Sequence, residues 1–163
     1  MAESKHEQVA VALQARLAAI VGDAGANYWY TPTHVLRVDD FLVDHLRHEH
    51  QLIVQIRPGL DRPVLRTSGT VRREMELYVL SCYRWQPNTQ DPYSVSAPTR
   101  WTIQSRLARD VEKAVLSDVT FSGLTLYAHV EEVSRDFFIE DSFPWAPVEL
   151  RLMVAYEHER RTP

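Results

Sequence analysis

Hydrophobic positions recur along this chain at two different periods. From Ser4 to Val21 the apolar residues Val9, Leu13, Leu17 and Ile20 fall three and four apart, which is the spacing of one helical face. The stretch opens Ser4-Lys5-His6-Glu7, a capping box in which the serine hydroxyl takes the Glu7 amide and the Glu7 carboxylate reaches back to Ser4. Gly22 is expected to supply the left-handed exit. A second helix is predicted from about Thr99 to Ser117. It buries Trp101, Leu107, Val111, Ala114 and Val115, and turns Arg100, Gln104, Arg106, Arg109 and Lys113 to solvent.

Elsewhere the period is two. A short strand is expected over His34 to Val38, behind Pro32, which confines it to an edge. A second covers Gln51 to Arg57 and is expected to stop at Pro58-Gly59. The longest, Val71 to Trp85, sends Met75, Leu77, Val79, Ser81 and Tyr83 one way and Glu74, Glu76, Tyr78, Leu80 and Cys82 the other, so its middle is apolar on both faces. Thr125 to Val133 and Val148 to His158 complete the set. In the last, Val148, Leu150, Leu152, Val154 and Tyr156 alternate with Glu149, Arg151 and Glu157. Phe137-Phe138-Ile139 is a candidate for brief pairing ahead of a turn at Phe143 to Pro147. Three connectors stand out: Asp39 to His50, read as one helical turn or an irregular link; Pro58 to Thr70, read as a long hairpin arm; and Gln86 to Pro98, a loop of proline, asparagine and serine. The order is helix, three strands, helix, two or three strands. That defines one α+β domain over residues 1–163, with a mainly antiparallel sheet of four to five strands and two helices packed on one face. The arms at about 58–70 and 86–98 are expected to be its most mobile parts and to order in an assembly.

Composition narrows the chemistry. At 163 residues and 18.9 kDa, with 45% hydrophobic and 25% charged residues, the chain can build a core. A formal charge of -4 is the wrong sign for affinity based on phosphates. The single cysteine, Cys82, lies in an apolar run and reads as a packed thiol in a reducing compartment. No stretch approaches the ~18 apolar residues of a membrane span, and the first residues lack a signal-peptide layout.

No motif specifies a reaction. The densest constellation is Asp44-His45-Leu46-Arg47-His48-Glu49-His50, from which zinc could take His45 and His48 with His50 or His34. Its spacing matches no metalloprotease motif, a solvated connector explains it better, and no metal ligand is assigned. Ser68-Gly69-Thr70 and Ser122-Gly123 are turn chemistry, not nucleophile elbows, and the glycines never form a phosphate-binding loop. Asp39-Asp40 and Glu131-Glu132 are adjacent pairs, which a strand would send to opposite faces. Tyr28-Trp29-Tyr30, Trp85, Tyr93, Trp101 and Trp145 would stack single-stranded nucleic acid only beside a basic groove; core or interface aromatics fit the acidic total better. No catalytic residue and no cofactor is expected.

Several segments together resemble tail-terminator and neck proteins of long-tailed bacteriophages and prophages. They are Tyr28-Trp29-Tyr30-Thr31-Pro32 leading into Val35-Leu36-Arg37-Val38, Ile56-Arg57-Pro58-Gly59, Arg72-Arg73-Glu74-Met75-Glu76-Leu77, Pro98-Thr99-Arg100-Trp101, and Val148 through Tyr156. The resemblance implies a structural virion protein, made in the host cytoplasm and ending in the tail or neck. It would assemble as a ring, commonly a hexamer, that caps the tail tube and meets the head connector while genome DNA passes through. It implies no membrane partner, no sequence-specific nucleic acid and no enzymatic activity. Face counting agrees with self-association: two helices cover one side of the sheet, leaving Tyr78, Leu80 and Cys82 on the other in need of cover. Tyr78 and Leu80, with Arg62, Arg66 and Tyr93 on the two arms, are the candidate interface residues. The competing readings are a small metal-dependent enzyme built on His45, His48 and His50, and a host-type binding module with a peptide or nucleic-acid groove.

Overall fold

The computed structural model describes residues 4–41, 51–67, 69–85, 98–135 and 145–159. Two helices, α1 (Lys5–Ala18) and α2 (Arg100–Leu116), pack on one face of a sheet of five strands: β1 (His34–Arg37), β2 (Leu52–Arg66), β3 (Thr70–Arg84), β4 (Tyr127–Ser134) and β5 (Trp145–Glu159). The spatial order is β1-β2-β3-β5-β4. All pairings are antiparallel except β1 with β2. The fold is therefore α+β with a mixed, mainly antiparallel sheet. The connector residues 42–50, including His45, His48 and His50, the loop 86–97 with Tyr93, and the segment 136–144 with Phe137 to Ile139 lie outside the described residues. Among the described residues no group of three or more His, Cys, Asp or Glu could hold a metal ion, and no helix is long and apolar enough to cross a membrane.

Helix starts follow the caps in the sequence. Ser4 Oγ accepts from the Glu7 amide at 3.2 Å, and Thr99 Oγ1 accepts from the Thr102 amide at 3.1 Å, so each helix has one of its orphan donors satisfied at once. The Glu7 carboxylate pairs with Arg37 on β1. Val9, Leu13 and Leu17 of α1 and Ile103, Leu107, Val111, Ala114 and Val115 of α2 are all but fully buried against Met75, Leu77 and Val79 of β3 and Val148, Leu150, Leu152 and Val154 of β5.

Gly22 does not provide the helix exit. Helix α1 ends with Ala19 still right-handed, and the left-handed residues come later, at Ala24 and Gly25. Gly22 is needed for space instead: a Cβ there would stand 3.0 Å from the Trp29 carbonyl oxygen. Two assignments on α2 also change. Trp101 is 66% exposed, whereas Gln104 is buried and its amide donates to the Pro147 carbonyl at 2.6 Å and the Arg135 carbonyl at 3.1 Å. Gln104 thus satisfies backbone acceptors at the ends of β4 and β5 that the sheet does not.

Asp110, also buried on α2, accepts three bonds from backbone amides eighty residues earlier: two from Trp29, at 3.1 and 2.9 Å, and one from Tyr30 at 3.0 Å. Burial pushes its carboxyl above the ordinary range, against the pull of the Tyr30 and Trp29 amides. The aromatic run 28–30 is thereby laid over α2, with the Arg106 guanidinium 3.9 Å from the Trp29 ring and the Tyr30 ring tilted against Tyr83, their centroids 4.5 Å apart. These rings are spent on packing, as core or interface aromatics would be.

The turn after α2 is held by Asp118. Its carboxylate accepts from the Thr120 hydroxyl at 2.7 Å, the Thr120 amide at 3.0 Å and the Ser122 amide at 2.7 Å, and Arg16 of α1 reaches it at 3.3 Å. Arg16 also stacks 4.3 Å from the ring of Phe121, a buried residue in the left-handed region, so one arginine fastens α1 to the end of α2. The Thr120 and Ser122 bonds lower the Asp118 pKa from 3.8 to about 2. A depressed carboxylate stabilises the fold above its unfolded pKa, and that contribution is lost as pH falls through the folded one. Between about pH 4 and pH 2 the wild type should therefore lose thermal stability faster than Asp118→Asn. Parallel Tm curves for the two proteins over that window would show that Asp118 has no such role.

Candidate functional site

The sheet face away from the helices and the far end of the β2–β3 hairpin are the two surfaces that the sequence marked for contact. Strand β2 does not stop at Pro58-Gly59 but runs on to Arg66. Register shifts between Pro58 and Asp61 and between Pro63 and Leu65 absorb the prolines as bulges, and Thr67 and Thr70 close the turn with mutual hydrogen bonds. From Pro58 to Arg66 the arm is thus paired strand. Asp61 ties it across the sheet, accepting from Arg73 Nε on β3 at 2.9 Å and from the Tyr156 hydroxyl on β5 at 2.8 Å. Burial and that carboxylate push the Tyr156 phenol up to about 12. On either side of Asp61 the arm is exposed: Leu60, Val64 and Leu65 are 67%, 51% and 49% accessible, beside Arg62 and Arg66.

The open face is covered where the sequence left it bare. Leu80 and Cys82 are 4% and 1% exposed, in a small cluster with Trp145 of β5 and Phe41 from the segment after β1. Leu80 is therefore not an exposed contact of the single chain, and Trp145 to Pro147 belong to β5 rather than to a turn. Cys82 is the packed thiol expected of it, with burial raising its pKa to about 12.

Tyr78 is half-buried and belongs to a polar lattice. The Arg57 guanidinium lies between two rings, 4.7 Å from Tyr78 and 4.9 Å from Phe41, and the Tyr78 hydroxyl donates to Glu76 at 3.1 Å. Gly59 leaves room for that ring: a Cβ there would stand 2.6 Å from it and 2.8 Å from Glu76 Cβ. Further along the face, Arg151 is 3.5 Å from Glu131 and 3.4 Å from Glu132. The adjacent glutamates do not part to opposite faces, because a bulge between Val130 and Glu132 turns both toward Arg151. Tyr127 donates to Glu74, and Arg72 pairs with Glu157. The face is an ion-paired surface whose apolar centre the chain itself seals.

Of the sequence-stated interface residues, Arg62 and Arg66 lie together on the arm, Tyr78 sits at its base, Leu80 is interior, and Tyr93 falls outside the described residues. Sequence reading missed Leu60, Val64 and Leu65, whose signal was three aliphatic residues in a segment otherwise fit for a turn. Comparison with protein-family models and with curated proteins gave no match, so the fold and these surfaces define the class: a two-helix, mixed-sheet α+β domain with a long β2–β3 hairpin.

Proposed function

We propose that the chain is a structural subunit of a long-tailed phage or prophage particle, a tail terminator or neck protein that works as a ring. In this reading the ring caps the tail tube, stops its growth and offers the head connector a docking surface; no residue performs catalysis. The observation that supports it best is the arm. The distal part of β2, on a hairpin that β5 flanks as far as Glu159 opposite Thr70, carries three exposed aliphatic residues and two arginines, and exposed apolar groups gathered on a polar surface mark contact with protein. The segments that carry the resemblance also fall on the framework of the fold, at the 28–38 segment, the β2 bulge, β3, the start of α2 and β5.

Negative-stain imaging of the purified protein tests the proposal, with annular particles around an open centre as the expected result. Compact particles without an opening would count against it. So would about one zinc per chain after dialysis that is lost when His45, His48 and His50 are changed together to Ala, the result that an enzyme built on those histidines requires.

A further inference from the structure

Positive charge is spread unevenly over this acidic chain. The arginines of α1 and of the sheet are mostly paired with carboxylates: Arg16 with Asp118, Arg37 with Glu7, Arg72 with Glu157, Arg73 with Asp61, and Arg151 with Glu131 and Glu132. Helix α2 differs. Among the described residues Arg100, Arg106, Arg109 and Lys113 form no ion pair, and neither does Arg135, the residue after β4. The helix has two acids of its own. Asp110 is buried and engaged by the Trp29 and Tyr30 amides, which leaves Glu112 as its one exposed carboxylate.

These cations are arranged as well as unpaired. Arg106, Arg109 and Lys113 follow one another at three and four residues, so they stand on one side of α2 over about 10 Å of its length. Three of the five lie over aromatic rings: Arg106 3.9 Å from Trp29, Lys113 5.1 Å from Tyr28, and Arg135 6.0 Å from Trp101. Lys113 Nζ also donates to the Asn27 carbonyl at 3.0 Å. A ring face and a carbonyl hold a cation in place without cancelling its charge. Arg109 and Lys113 are exposed.

A row of fixed, uncancelled cations calls for an anionic partner, and the total of -4 does not speak against one, because a partner meets the local field rather than the sum. An acidic protein fits poorly. The large apolar residues exposed on α2 are Trp101 and Leu116, fifteen positions apart, so the face has no apolar centre of the kind that protein interfaces bury. Single-stranded nucleic acid needs open rings for its bases, and cations already cover Trp29 and Tyr28, leaving Trp101 alone. A duplex needs neither, since cations alone hold it by its phosphates.

We infer that the outward side of α2 binds the phosphate backbone of duplex DNA, whatever its sequence, through Arg106, Arg109 and Lys113, with Arg100 and Arg135 at the N-terminal end of the helix. This contact goes beyond the ring reading and does not need it, because a single chain carries the whole surface. So few phosphate contacts make a weak complex that salt dissociates.

Fluorescence anisotropy of a labelled DNA duplex of about twenty base pairs, titrated with protein at about 50 to 200 mM salt, tests the contact. Three proteins are compared: the wild type, Arg109→Ala/Lys113→Ala, and Arg62→Ala/Arg66→Ala, which removes the same charge from the arm. Circular dichroism and melting establish that each is folded, which exposed side chains allow. The α2 variant should bind about tenfold or more weakly at the lowest salt, and its slope of log affinity against log salt should be shallower by about two, one for each phosphate contact removed. The arm variant should bind like the wild type. A wild type that shows no salt-dependent binding to the duplex, or equal losses in the two double variants, overturns the inference. So does tighter binding to a single strand, which would mean stacking, or to polyglutamate, which would mean an acidic protein. None of these results touches ring formation, which imaging reads separately.

Discussion

Leu80→Arg is expected to cost more than about 4 kcal/mol and to leave little cooperatively folded subunit. Leu80 is 4% exposed, packed with Cys82, Trp145 and Phe41, and its neighbours across the sheet are Gln55 and Glu149. An arginine there would force a long charged side chain into the packing with Cys82, Trp145 and Phe41, a desolvation that the partly buried Glu149 carboxylate across the sheet offsets only in part. A domain with a total stability of roughly 5–15 kcal/mol cannot spare that amount. Leu80→Ala, which removes the packing without adding charge, should cost about 2–4 kcal/mol and stay folded in the cold. Denaturant melts of both variants check the expectation. A Leu80→Arg protein that melts like the wild type would mean that the single chain leaves this face open after all.

The second large effect is expected at Asp110. Asp110→Ala removes an acceptor of three amide bonds and leaves the Trp29 and Tyr30 donors facing α2 without a partner, a loss of about 2–4 kcal/mol. Asp110→Asn keeps one acceptor oxygen and should lose less. Because burial raises the Asp110 pKa, its ionised form is the less favoured one in the fold, so its own contribution weakens as pH rises through the carboxylate range. That is opposite in sign to Asp118. Urea midpoints together with tryptophan fluorescence would separate the two variants: the Trp29 signal should move in Asp110→Ala, since the loop that carries this ring loses its tether to α2. A wild-type midpoint in Asp110→Ala would remove Asp110 from the account of the fold.

How much of this was legible beforehand depended on the range of the forces involved. The cap at Ser4, the helical stripes and the alternation of β5 act over a few residues, and they were read where they occur. Pro58-Gly59 looked like a stop because proline and glycine usually punctuate strands. Here the distal half of β2 has no neighbour on one side among the described residues, and bulges take up the missing regularity. Gln104 and Asp110 are polar residues on a helix, which locally reads as solvent-facing. Their partners, Arg135 and Pro147 for one and Trp29 and Tyr30 for the other, come from distant parts of the chain that only the fold brings near. Trp101 shows the reverse error: its position in the first turn of α2 leaves it outside the reach of the sheet.

The interface residues divide in the same way. Arg62 and Arg66 could be placed on an arm from turn residues alone. Leu80 was misjudged because counting helices omitted Phe41 and Trp145 as cover. The shared pairing of Glu131 and Glu132 with Arg151 was hidden by a bulge that no alternation rule anticipates.

Sedimentation velocity of the wild-type protein over a wide concentration range bears most directly on assembly into a closed ring. Head-to-tail closure predicts one dominant species at an integral multiple, three or greater, of the 18.9 kDa chain, with no open ladder of intermediates. A protein that remains at 18.9 kDa throughout, or that stops at a two-fold dimer, would contradict it.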